Sequence, residues 1–138
     1  MVVSVTRGFV PALGYGWEMT VKSDLSVVDV NYEPKVECVA RVTPDQWSAL
    51  LGRVEEAHFF ELQDAYTSDP RQPIPFFTRV VRTDAHKTIY ALVGQPFALS
   101  QLDAHLAGLR LALQWTGRAG DAAAEEFCPQ HMRIRPTS

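Results

Sequence analysis

The chain has 138 residues, 46% of them hydrophobic and 21% charged, with a formal net charge of -3 and a pI near 5.8. That length suits one domain able to bury about two-thirds of its unfolded surface without staples, and the composition is globular rather than disordered. The acidic balance leaves no basic stripe for nucleic acid, MVVSVTRGFVPALG lacks the regions of a signal peptide, and no apolar run approaches the roughly 18 residues of a membrane span, so no nucleic acid, no membrane and a cytoplasmic location are expected.

In chain order, residues 2–6 suggest an edge strand. Residues 15–22 alternate, with Tyr15, Trp17, Met19 and Val21 on one face and Gly16, Glu18, Thr20 and Lys22 on the other. Ser23 and Asp24 supply a turn. In 25–32 the same logic sets Val28, Val30 and Tyr32 inward and Asp29 and Asn31 outward. In 35–42 it gathers Val36, Cys38, Ala40 and Val42 against Lys35, Glu37 and Arg41, completing an antiparallel meander. The polar face of that meander mixes signs and reads as solvated. Thr43, Pro44 and Gln46 then spell a capping box with proline at the first helical position. Trp47, Leu50, Leu51 and Val54 follow at helical spacing, predicting a helix over 44–57.

HFFELQDAY reads as an irregular continuation, and TSDPRQPIP (67–75) as a stiff, extended loop. Strands over 76–83 and 87–93 form a hairpin through Asp84 to His86, apolar on both faces and hence central or at an interface. The last helix is predicted over 97–115 and carries two opposed stripes. One is Leu99, Leu102, Leu106, Leu109 and Leu113; the other is Ala104, Ala107, Gly108, Leu111 and Trp115. A surface helix needs only one. Either the tail folds over the outer stripe, or small residues simply face solvent, or the stripe meets a partner helix. Gly117 is expected to stop the helix. Residues 1–117 thus make one domain, and 118–138 an extension, partly ordered at most, with a short helical turn near 121–127.

The expected architecture is a two-layer α+β sandwich. It has an antiparallel sheet of about five or six strands, two helices on one face, and the order β-β-β-α-β-β-α.

Phe59, Phe60, Leu62, Asp64 and Tyr66, then Asp69, then Lys87, Thr88 and Ile89, then Pro96, Leu99 and Leu102 follow a pattern. Over residues 15–115 the chain resembles a bacterial domain family of unknown function with FFxLxDxY and KT(I/V) segments. Its members are often exported and carry a cysteine before the first clear strand, where this chain has GFVPALGYG. The resemblance implies the order of elements and no activity.

No phosphate loop, HExxH, nucleophile elbow or paired CxxC occurs. Gly14-Tyr15-Gly16 precedes a strand and is no dinucleotide fingerprint. Cys38 and Cys128 lie far apart, and their spacing leaves a disulfide open without implying one. Cys128 and His131 have the spacing of a zinc half-site, which Cys38 and another histidine would have to complete. The plain reading is two ordinary tail residues, so no metal and no cofactor are expected. Tyr66, Asp69 and Lys87, with His58 as a general base, are catalytic candidates for a polar pocket. Each also has an ordinary structural role as a turn closer, packing ring or strand start. His86 and His105 read as a solvated turn residue and a helix flank. Two functions follow. The first is a non-catalytic protein-binding or accessory domain of inhibitor, immunity or adaptor type, with a partner protein or a second copy on Ala104, Ala107, Gly108, Leu111 and Trp115. The alternative is a small enzyme or small-molecule binder with its pocket between helix and sheet.

Overall fold

The computed structural model describes residues 1–11 and 15–131. It is an α+β fold whose sheet is antiparallel except at one edge. The strands are β1 (Val2–Phe9), β2 (Trp17–Lys22), β3 (Ser26–Tyr32), β4 (Lys35–Arg41), β5 (Ala65–Tyr66), β6 (Phe76–Arg82), β7 (His86–Ala91) and β8 (Thr116–Gly117). The helices are α1 (Pro44–Glu56), α2 (Phe97–Ala112) and α3 (Ala122–His131), with a 3-10 turn at Phe59–Glu61. The sheet runs β5-β7-β6-β1-β2-β3-β4-β8, and only β5 and β7 pair in parallel.

The meander, α1 and the β6–β7 hairpin stand where the sequence pattern places them. The Thr43 hydroxyl accepts from Gln46 N at 3.1 Å and the Gln46 side chain accepts from Thr43 N at 2.8 Å, so α1 starts on a complete capping box. The strand count is higher than expected. Two of the added strands, β5 and β8, are dipeptides too short for alternation to reveal.

β1 is not an edge. It lies between β2 and β6, pairing Val5 with both Val21 and Val80, and so joins the meander to the hairpin. Val5 and Gly8 are buried, and a Cβ at Gly8 would collide with the Phe77 ring. Register fixes the faces. Ile89, Thr78, Arg7, Met19, Asp29 and Cys38 form one row across six strands, and Val80, Val5, Val21, Val27 and Ala40 form the next. These rows meet Leu50 and Val54 of α1, four of the five leucines of α2 (Leu99, Leu102, Leu106 and Leu109), and Ala124 and Cys128 of α3 in a single core.

β3 therefore faces the opposite way from the sequence reading. Val27, Asp29 and Asn31 point to the core, and Val28, Val30 and Tyr32 lie half-buried on the other face. The polar pair goes inward because each member has a partner there. Asp29 meets Arg110, and the Asn31 amide donates to the Pro34 carbonyl at 2.9 Å.

The final helix stops at Ala112, three residues short of the prediction, with Leu113 already extended. Gly117 does not end it. Gly117 sits in β8 opposite Cys38, where a Cβ would collide with the backbone at Ala124 and Glu125. That close approach lets α3 lie on β8, and Cys38 and Cys128 are joined as a disulfide, both fully buried. The domain thus continues past 117, with Ala124 and Cys128 in its core.

Candidate functional site

α2 carries its charge on the wrong side for a surface helix. Asp103 and Arg110, seven residues apart, are its only Asp, Glu, Lys or Arg residues, and both turn toward the sheet. Two helical turns span about 10.5 Å, close to the roughly 9.6 Å between strands two apart. Asp103 accordingly meets β1 and β6 while Arg110 meets β3.

At the first anchor, Arg7 Nη1 lies 3.5 Å from Asp103 Oδ2. Thr78 sits between them: its hydroxyl accepts from Arg7 at 3.3 Å and donates to Asp103 at 2.6 Å. Burial pushes the Asp103 carboxyl above the ordinary carboxylate range, against the pull of Arg7 and the Thr78 bond. Burial likewise lowers the Arg7 guanidinium, with Asp103 opposing. At the second anchor, Arg110 grips Asp29 with two bonds, Nε at 2.6 Å and Nη2 at 3.2 Å. Its guanidinium also lies over the Trp17 ring, 4.0 Å from the centroid. Asp29 is 0% exposed, so this pair acts where water screens little.

The outer side of the helix is the inverse. Ala104, Ala107, Gly108, Leu111 and Ala112 are all exposed, and Phe97 at the first turn is 76% exposed. Leu92 and Val93, just before the helix, are exposed as well. Solvent thus meets a neutral, apolar strip where polar side chains are the norm. His105 lies on the flank toward α1, where burial and then Arg53 hold its pKa below the ordinary imidazole value.

Trp115 does not belong to that strip. The helix ends before it, and the ring turns into the core at 2% exposure, its indole N–H donating to the Arg110 carbonyl at 2.8 Å. It closes the last turn of α2 by taking up a carbonyl with no helical partner.

The four catalytic candidates do not converge. Lys87 Nζ donates to the Leu62 carbonyl and pairs with Asp64 at 3.3 Å. The Tyr66 hydroxyl accepts from Gln63 N at 3.0 Å. These two side chains lock the 62–66 link against β7. Asp69 turns to its own loop, accepting from Arg71 N at 3.0 Å and pairing with the Arg71 guanidinium at 3.3 Å. His58 stands apart, in a left-handed conformation, with Nδ1 3.3 Å from Glu61. It lines a cleft that Tyr66, Asp69 and Lys87 do not reach. The zinc half-site loses its thiol, because Cys128 and Cys38 are bonded to each other; the His131 side chain lies outside the described residues.

Sequence reasoning missed Arg7, Thr78 and Asp29 as partners of α2. The available signal was the helix itself: two opposite charges at i and i+7, Asp103 and Arg110, on an otherwise uncharged helix. No protein-family model matches the chain, and no curated protein matches it either.

Proposed function

We propose that this chain is a non-catalytic protein-binding domain that presents the outer face of α2 to a partner protein. The observation that carries the reading is the inversion of α2: both charges are held against the sheet and an uncharged strip is left outside. Apolar faces of this kind on stable elements mark contact surfaces. Two anchors fix the helix rigidly, which lowers the entropy lost on docking. The dispersal of Tyr66, Asp69, Lys87 and His58 supports a binding role over a catalytic one.

The location belongs to the same reading. No helix among the described residues is long and apolar enough to cross a membrane. The buried disulfide favours an oxidising compartment over the cytoplasm expected from the signal-peptide and membrane-span readings.

The test is a paired substitution, Ala107→Glu with Leu111→Glu, on exposed positions. Protein purified gently from its own host is weighed by native mass spectrometry. Wild type is expected to retain a second chain, and the variant to lose it with an unchanged melting temperature. Association that survives both substitutions would refute the α2 face as the contact.

A further inference from the structure

A cleft of about 580 Å3 opens between the end of α1, the 3-10 turn and the ends of β1 and β6. That volume lies within the range of small-molecule sites. Its walls are apolar: Val2, Leu51, Val54, Phe59 and Phe60. Its distinctive polar group is Arg82, whose guanidinium lies on the Phe60 ring, 3.8 Å from the centroid. Stacking holds the fork flat, so that an acceptor meets it edge-on. Nε of Arg82 is buried without a hydrogen-bond partner among the described residues. The Asp84 carboxylate pairs with it at 3.6 Å, an exposed ion pair too long for a hydrogen bond. A buried N–H in that state leaves the guanidinium short of acceptors; the side chain as a whole is 38% exposed, so a carboxylate meets the guanidinium at its exposed part rather than at Nε.

We propose that this cleft binds a hydrophobic monocarboxylate, its carboxylate on Arg82 and its apolar tail along Leu51, Val54 and Phe59. The rim sets the charge of the ligand. Glu55 and Glu61 also line the opening, and Glu61 is only partly answered by His58 at 3.3 Å. A multiply charged anion meets repulsion there that a single carboxylate offsets by burying its tail. A second cleft, about 740 Å3 beside β3, β4 and the end of α2, lacks this feature. Three of its polar side chains are engaged: Gln46 in the α1 cap, Arg41 on the Asp24 carbonyl and Ser26 on the Asp24 carboxylate. The Arg82 cleft shares no residue with the outer face of α2, and its occupancy is independent of the α2 reading.

The test uses the whole chain and sodium decanoate, followed by amide chemical shifts. Saturable shifts confined to the cleft residues are expected at sub-millimolar decanoate. Acetate, which lacks the tail, and decyltrimethylammonium, which reverses the charge, should leave those residues unmoved. Arg82→Gln should weaken decanoate at least about tenfold, the loss of one charge-assisted hydrogen bond. Glu61→Gln, at an exposed site that does not threaten folding, should tighten it about two- to fivefold by removing a like charge. The proposal is overturned if decanoate gives no saturable shifts in the cleft, if both variants bind as wild type does, or if the cationic amphiphile binds better.

Discussion

α1 and α2 bury similar stripes of aliphatic side chains against the same sheet, yet they treat charge in opposite ways. On α1, Asp45, Glu55 and Glu56 stand in solvent and the apolar residues Leu50 and Val54 are inside. On α2 the two charges are inside with the leucines, and the exposed side is Phe97, Ala104, Ala107, Gly108 and Leu111. The helices also start differently. α1 has its own capping box, whereas α2 begins at Pro96 with no side-chain cap. One helix is specified locally and finished by water. The other is held by side chains from β1, β3 and β6, and its outer face makes no provision for water.

The largest expected contrast comes from removing one arginine from each helix. Arg110→Leu leaves Asp29 buried with its principal counter-charge gone, and should lower unfolding free energy by about 3–5 kcal/mol. Arg53→Leu breaks an exposed pair with Glu56 and should change it by less than about 1 kcal/mol. Urea denaturation of the two variants decides the matter; equal losses would mean that α2 is not anchored as described.

Thr43→Ala should cost about 1 kcal/mol, the usual worth of a lost cap. Amide exchange should quicken in the first turn of α1 and leave α2 unaltered. Uniform acceleration through both helices would show that they do not form by separate means.

A smaller, pH-dependent effect belongs to Asp103. Its folded pKa is raised, chiefly by burial, so the folded protein takes up a proton more readily than the unfolded chain. The group therefore costs stability at neutral pH, and that cost is recovered as pH falls through the folded value toward the ordinary one, about 4. The stability of wild type relative to Asp103→Asn should rise over that interval. A flat difference would place Asp103 in water. Smallest of all is the change at Leu111→Glu, within about 0.5 kcal/mol for an exposed site, which is why it separates binding from folding.

Much of this was legible along the chain. The capping box, the α1 stripe, the meander and the hairpin are written in neighbouring residues, and so is the neutral run Ala104, Ala107, Gly108 and Leu111. What was not legible depends on distant partners. Asp29 looks outward until Arg110 is placed above it. Trp115 looks like part of the outer stripe until the helix ends at Ala112. Cys38 and Cys128 are 90 residues apart, and their bond needs α3 to close on β8. Arg82 and Phe60 meet only after the 3-10 turn and β6 have folded to the same corner.

The central position of β1 has a kinetic consequence. Arg7 and Thr78 are 71 residues apart, so one side of the first strand waits for a segment made far later. During synthesis from the amino terminus, the meander can zip on local contacts. It then holds an open edge at β1 until β6 emerges to close it. The β1–β6 pairing is therefore a contact of high sequence separation at the middle of the sheet, and until it forms the β1 edge is open to pairing with other chains.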